Sequence, residues 1–301
     1  MILAYSMPDH MQARSLFGQP RAVVEAALPD REAVTCPMCR MEPRPVAVDF
    51  QGFHVARCLS CGLEFQSPRP VFSQLAETVY GSTYHPPGEE LVGSVRAQQF
   101  ARQVSHLKAL LPASRRVLLD VGCGAGAFLR FAEACGWQAN GTDVVLTEEA
   151  RKMNRRLWEG QLPTISFSGA RFDVVRFNHV LEHTQDPLAE LRRARELLTP
   201  QGIVLIGVPN LAGVSNRLKT WQSRLSLKGK PWKHYGALHH LWFFTPSTLT
   251  RMVAAAGFDV EWWETPVFSR PDWSGWTTAA ARVPLESVRA GGVVDLYARV
   301  S

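Results

Sequence analysis

The chain has 301 residues, 46% hydrophobic and 20% charged, enough apolar content to fill one large domain, or a large one plus a small one, and too much for extensive disorder. Its 33 Lys and Arg against 27 Asp and Glu give a formal charge of +6, which suits an anionic partner or a merely solvated surface, so distribution matters more than total. No apolar run approaches the roughly 20 residues of a spanning helix, and the start MILAYSMPDHMQARSLFGQP lacks the basic opening and apolar core of a signal peptide, so the expected compartment is cytoplasmic.

Residues 1–30 carry only a short helical pattern, around Arg21 to Ala27, and suggest no role. Residues 31–70 hold the strongest signal outside the catalytic region: Cys36-Pro-Met-Cys39 and Cys58-Leu-Ser-Cys61, with eighteen residues between the pairs. Each C-x2-C turn sets two thiolates side by side, and two such turns supply the four soft ligands of a closed, tetrahedral, structural Zn²⁺ site. Between them PVAVDFQGFHVAR reads as a hairpin with Gln51-Gly52 at its tip, and Gly62 follows the last ligand, the pattern of a zinc ribbon. A closed site has no open position, so the metal is expected to take no part in catalysis. Cys123 and Cys135 read as packing residues.

Residues 71–113 read as a helical linker and pocket cover, broken at Gly81 to Gly88, with Val95, Phe100, Val104, Leu107 and Leu111 on one helical face. Next come an apolar run ending in Asp120, a loop with Gly122, Gly124 and Gly126, a short helix, and a second apolar run ending in Asp143. A buried strand, a glycine turn, a helix start with free N–H groups and an acid some twenty residues on make a nucleoside-cofactor site. The loop alone is ambiguous, since Gly122-x-Gly124-x-x-Ala127 also fits a dinucleotide fingerprint.

Asp120 before the loop and Gly126 within it complete D-x-G-x-G-x-G, which resembles motif I of class I S-adenosylmethionine (SAM) methyltransferases. Two further segments resemble that superfamily in the same order: Phe172 to Asn210, with the turn Asn178-His179-Val180-Leu181-Glu182-His183, and Phe244 to Val260. The resemblance covers residues 114–301 and is nearest to bacterial "LEH" enzymes that methylate quinones, sugars and other small molecules. It implies an α/β fold, a doubly wound Rossmann-like seven-stranded methyltransferase sheet, here with a small N-terminal zinc ribbon. A ribbon ahead of a SAM domain is also similar to zinc-containing sugar C-methyltransferases. By this resemblance Gly122, Gly124 and Gly126 approach the methionine part of SAM, Asp120 lies beneath the loop, Asp143 takes the ribose hydroxyls, and Tyr80, Tyr84 and His85 close the pocket from the other side. Asn178 orients SAM or substrate, and His183 is the leading general base, since imidazole accepts a proton near neutral pH. Its alternative is a brace for the next helix, and Glu182 reads as structural.

Expected strands are Val117 to Val121, Gln138 to Asp143, a weak one near Thr164 to Phe167, Phe172 to Asn178, Ile203 to Val208, Phe258 to Glu264 and Val293 to Arg299; the resemblance implies that the last inserts antiparallel beside the sixth. Thr147 caps a helix with Glu148 and Glu149 in its first turn and Arg155 and Arg156 near its close; Thr245-Pro246 opens another that Gly257 ends. The insertion 213–240 contains Arg217, Lys219, Arg224, Lys228, Lys230 and Lys233 and no acid, which accounts for the net +6. It reads as a lid for an anionic or carrier-bound small-molecule substrate, or as a solvated loop. Trp221, Trp232 and Tyr235 add aromatic rings there, and His239 or His240 is a second candidate base. The expected reaction is methyl transfer to O or C of a small biosynthetic intermediate by in-line displacement. The alternative is an RNA methyltransferase that docks through ribbon and basic loop, disfavoured because only Arg40, Arg44, Arg57 and Arg69 lie near the ribbon.

Overall fold

The computed structural model describes residues 16–80, 94–153, 155–268 and 283–301. After a short helix α1 (Arg21–Ala27) and strand β1 (Arg31–Glu32), β2 (Arg44–Val48) and β3 (His54–Arg57) form the expected hairpin, and β4 (Glu64–Gln66) adds antiparallel to β3. Gly52 at the tip has φ +90°, and a Cβ there would meet Arg21 Nε at 2.8 Å, so this turn needs glycine. β5 (Arg69–Pro70) returns to pair with β1. Helices α2 (Phe72–Thr78) and α3 (Ser94–Leu110) lead into the main sheet.

That sheet is built from β6 (Val117–Val121), α4 (Ala127–Ala134), β7 (Gln138–Asp143), α5 (Glu148–Arg151), β8 (Leu157–Glu159), β9 (Phe172–Asn178), α6 (Pro187–Leu197) and β10 (Leu198–Pro209). Helix α7 (Val214–Arg224), strand β11 (Trp242–Phe243), α8 (Pro246–Ala255), β12 (Phe258–Glu264) and β13 (Val293–Val300) complete the chain. The strand order is β12-β13-β10-β9-β6-β7-β8, parallel from β10 to β8, with β13 antiparallel to both neighbours. The doubly wound, seven-stranded α/β architecture with an antiparallel β13 is as expected. The order reverses beside β6, which opens a crevice at the carboxyl ends of the strands.

Alternation along the buried strands feeds two cores. Leu119, Val175 and Ile206 face one that includes α6, α8 and the ribbon residues Phe53 and Phe65. Leu118, Val174 and Leu205 face the other, against Phe100, Val104 and Leu107 of α3 and Phe128 and Leu129 of α4. Each fully buried large side chain contributes about 1.5–3 kcal/mol. The apolar face read on α3 is therefore the face that anchors it.

Three expectations need correction. The third parallel strand is not near Thr164 to Phe167 but at Leu157–Glu159, while Leu162–Thr164 forms a 3-10 turn with Pro163 in its first positions. Proline lacks the N–H a ladder requires. The helix capped by Thr147 ends at Arg151, well short of Arg155 and Arg156, because the chain must turn to enter β8: the Arg156 carbonyl already accepts Gly141 N–H at 3.2 Å. The fifth parallel strand begins at Leu198 rather than Ile203, with an irregular register between them.

The ribbon is also more than its own hairpin. β11, beyond the basic segment, pairs antiparallel with β4, giving a four-stranded sheet β11-β4-β3-β2. Tyr235 Oη donates to Glu64 Oε2 at 2.7 Å, and Gln66 Nε2 donates to the His240 carbonyl at 2.6 Å.

Candidate active site

One cavity of about 220 Å³ lies at the crevice, lined among others by Tyr80, Asp120, Gly122, Asp143, Asn178, His179, His183 and Glu190. On one side stands the glycine loop. Gly122 and Gly126 have φ +69° and +78°, and a Cβ on Gly122 would lie 2.4 Å from Val180 Cγ2. The loop is tied down by Gly122 N–H to the Thr142 carbonyl at 2.7 Å, and Gly124 N–H donates to Asp143 Oδ2 at 2.9 Å. Asp143 thus stands at the strand end beside the loop, and Gly126 begins α4. Cys123 is buried, its Sγ within 2.8 Å of where a Gly141 Cβ would be, which supports the packing reading.

Beneath the loop Asp120 is buried and pairs with Arg176 at 2.6 Å. Arg176 Nε donates to Gln103 Oε1 at 3.0 Å, and its guanidinium lies 3.6 Å from the Phe128 ring centroid. Gln99 and Gln103 of α3 donate to Asn178 Oδ1 at 3.1 and 3.0 Å, which leaves the Asn178 amide N–H₂ as its remaining donor. Gln103 also reaches Asp295 Oδ2 at 3.2 Å. Burial first, against the hydrogen bond from Gln103, raises the Asp295 carboxyl to about 6. Sequence reading missed Gln99, Gln103, Arg176 and Asp295. The signal was present as two glutamines four apart beside the apolar face of α3 and an arginine inside the apolar run of β9.

On the opposite side is the turn after β9. His179 has φ +56°, a strained value for a residue with a Cβ, and its half-exposed side chain (42%) is on the cavity wall. Its Nδ1 is 3.3 Å from Oε1 of Glu182, which is 1% exposed. Burial alone would raise the Glu182 carboxyl, but the hydrogen bond from His179 and the fields of His183 and His240 hold it at about 2. His179 was not among the expected residues, although His-x-x-Glu is a spacing at which side chains on one turn meet.

His183 is also on the wall. Its Nδ1 donates to the His239 carbonyl at 2.8 Å, which turns Nε2 toward Glu182 Oε1 at 3.9 Å. Burial lowers His183 well below the ordinary imidazole value. His239 stacks behind it and His240 packs tilted against it, with ring centroids 5.4 and 4.9 Å from His183, and neither is among the wall residues; burial holds His239 at about 3 and also lowers His240. One ligand atom each from Glu182, His183 and His240 lie within 4.8 Å of one another, a donor set able to hold a cation. Tyr80 lines the cavity and donates to the His239 carbonyl at 2.5 Å; Tyr84 and His85 fall outside the described residues. A further carboxyl, Glu190 of α6, is raised to about 8 by burial and by Asp186, so it stands on the wall as a neutral acid near pH 7. None of Arg217, Lys219, Arg224, Lys228, Lys230 and Lys233 is among the wall residues.

Away from the cavity, Cys36, Cys39, Cys58 and Cys61 bring their sulfurs within 4.8 Å of one another, with Cys36 Sγ 3.5 Å from Cys61 Sγ and no disulfide among them. Tetrahedral Zn²⁺ needs sulfurs about 3.8 Å apart, so the four fit it. Both knuckles share one device: Arg40 (φ 57°) and Gly62 (φ +80°) turn the chain left-handed after the second cysteine. Their N–H groups return to the Cys36 and Cys58 carbonyls at 2.8 and 2.9 Å.

Comparison with known proteins agrees with this geometry. A family model described as a methyltransferase domain matches residues 95–261, beginning downstream of the ribbon. A ubiquinone biosynthesis O-methyltransferase of Cereibacter sphaeroides (strain KD131 / KCTC 12085) is 30% identical over 208 residues, 64% of this chain and 80% of that protein. Another of the same description, from Azorhizobium caulinodans, is 31% identical over 163 residues, 51% of this chain and 62% of its own length. The crystal structure of Burkholderia thailandensis 1,6-didemethyltoxoflavin-N1-methyltransferase, with bound 1,6-didemethyltoxoflavin and S-adenosylhomocysteine, shares the fold at a TM-score of 0.53 and 19% identity. That match covers 86% of this chain and 99% of that one.

Proposed function

The chain belongs to the methyltransferase-domain family and is a SAM-dependent methyltransferase; from that premise we propose that it methylates a hydroxyl oxygen of a small biosynthetic intermediate. The observation that carries this reading is one cavity walled by the glycine loop with Asp143 on one side and by the Asn178 to His183 turn on the other. SAM supplies an electrophilic methyl group on a sulfonium. Gly122, Gly124 and Gly126 give it close backbone approach, Asp143 accepts from the ribose hydroxyls, and Asp120 lies beneath the loop. The relatives described as O-methyltransferases favour oxygen over carbon as the acceptor atom.

A hydroxyl must lose its proton as it takes up the methyl group. His179 suits that role best: Glu182 orients its ring through Nδ1, which leaves Nε2 as the proton acceptor, and its side chain is on the wall. The orientation is that of a histidine held by a buried carboxylate in a catalytic triad. His183, the leading choice from sequence, is the second candidate, since its two nitrogens face the His239 carbonyl and Glu182. Replacement of the base by alanine should lower kcat by roughly 100-fold with S-adenosylhomocysteine affinity retained. His179→Ala and His183→Ala, assayed side by side by turnover and calorimetry, assign the role. Unchanged kcat in both variants removes a histidine base from this turn.

The four cysteines are proposed to hold a structural Zn²⁺, tested by metal analysis of the purified protein. An RNA acceptor finds less support. Arg69 is buried against Glu32 at 2.7 Å and the half-exposed Arg57 is ion-paired with Glu64, so two of the four basic residues near the ribbon carry a compensated charge.

A further inference from the structure

Helix α7 is built inside out. Its side chains turned toward the protein are polar: Asn216 Nδ2 donates to the Asn210 carbonyl at 2.8 Å, Thr220 Oγ1 meets His234 Nε2 at 2.9 Å, and Ser223 Oγ accepts Trp232 N–H at 3.0 Å. Its solvent face is apolar. Val214, Leu218, Trp221 and, just past its end, Leu225 follow one another at intervals of four, three and four residues, and are 48, 53, 55 and 51% exposed. That spacing is one helical stripe. Scattered exposed apolar side chains need no explanation, but a continuous stripe on a helix whose inward side chains are polar does.

The surroundings say what covers it. All six basic residues of the 213–240 segment lie on this helix or the loop after it, no acid accompanies them, and among the described residues none is ion-paired. None of them serves the cavity. An apolar stripe carrying a tryptophan, flanked by Lys and Arg with no acidic partner among the described residues and with only Lys230 resting on a ring, that of Phe50, is the composition of a helix that lies in a membrane interface. A second copy of this chain is a poorer fit, because a two-fold contact would set these uncompensated charges against their own kind. No described helix is long and apolar enough to cross a membrane, so the attachment is peripheral.

We propose that α7 docks on an anionic lipid surface, with Leu218 and Trp221 entering the headgroup boundary and Arg217, Arg224 and the lysines of the following loop on lipid phosphates. The same segment runs on through Tyr235 to His239 and His240 behind the cavity wall, so a docked helix would hold the acceptor side of the enzyme against the bilayer. The surface is independent of which acceptor the enzyme methylates.

The test uses the full chain, sedimented with vesicles of phosphatidylcholine alone and of phosphatidylcholine containing about one third phosphatidylglycerol. The expected result is co-sedimentation with the anionic vesicles only, weakening steeply as salt is raised. The double variant Leu218→Ser, Trp221→Ser should partition at least about tenfold less while binding S-adenosylhomocysteine as the unsubstituted protein does. Failure to bind the anionic vesicles, or equal partitioning of the double variant, overturns the proposal. So does a dimer in solution that the two substitutions dissociate, which would make the stripe a self-interface.

Discussion

The two walls of the cavity are made in opposite ways. The glycine-loop wall comes from one stretch, Val117 to Asp143, in which β6, a left-handed glycine loop, α4 and β7 follow without interruption and bond mainly to one another. The opposite wall gathers Tyr80, the turn that carries His179 and His183, and Glu190 of α6, and backs them with His239 and His240 from the end of the basic segment and, through β4, with the cysteine ribbon. A wall of short-range contacts is stable wherever the local sequence is intact. A wall of long-range contacts depends on every element that supports it.

Breaking the ion pair beneath the glycine loop tests most severely how far this locally built wall still rests on β9, which lies outside that stretch. Arg176→Met leaves the buried Asp120 carboxylate without its ion pair and should destabilise the protein by about 3–5 kcal/mol, read by urea unfolding. A loss below about 1 kcal/mol would show that the loop does not depend on this pair. With zinc on the four cysteines, as proposed, its removal by a chelator tests the second half of the contrast. Because β11 and Tyr235 are anchored on the ribbon, turnover should fall by about tenfold or more while S-adenosylhomocysteine affinity changes by less than about threefold. Equal loss of both would mean that the two walls are not separable.

Titration gives a smaller and finer test. His239 stays neutral down to about pH 3 and His234 to about pH 4, both because of burial, whereas unfolded histidine titrates near 6.5. Below that value the unfolded chain binds protons that the folded chain refuses, so stability should fall as pH drops from about 6.5 toward 4. Glu190 acts at the other end. Raised from 4.5 to about 8, it stabilises fully below the lower value, and its contribution is lost as pH rises through the upper one. Glu190→Gln should therefore flatten the alkaline limb, leaving the variant more stable than the parent near pH 9 by on the order of 1–2 kcal/mol. Parallel alkaline limbs in the two proteins would mean that Glu190 is already ionised at neutral pH.

The difference between the walls also explains what could be read before any fold was known. The glycine spacing, Asp120 and Asp143 are set by local geometry, since each left-handed turn and strand end lies within a few residues of the groups it positions. The two C-x2-C knuckles are equally local. The third strand was misplaced because Leu157 to Glu159 is short and is a strand only by virtue of its pairing with β7, whereas the apolar run after Pro163 looks more like one. His179 was passed over for His183 because only the bend at φ +56° and the buried Glu182 beside it distinguish the two rings.

By itself, the sequence determined the glycine loop between β6 and β7, the two C-x2-C turns, the positions of β9, β12 and β13 and the concentration of positive charge in residues 213–240. Tertiary structure alone decided that this charge surrounds an outward apolar stripe instead of the cavity, that the ribbon is joined to the catalytic region through β11, and that Gln99 and Gln103 hold Asn178. The physical reason is range. Backbone conformation and ligand spacing are fixed by neighbours along the chain, while the direction a helix face points and the partner a buried amide finds are fixed by residues tens of positions away.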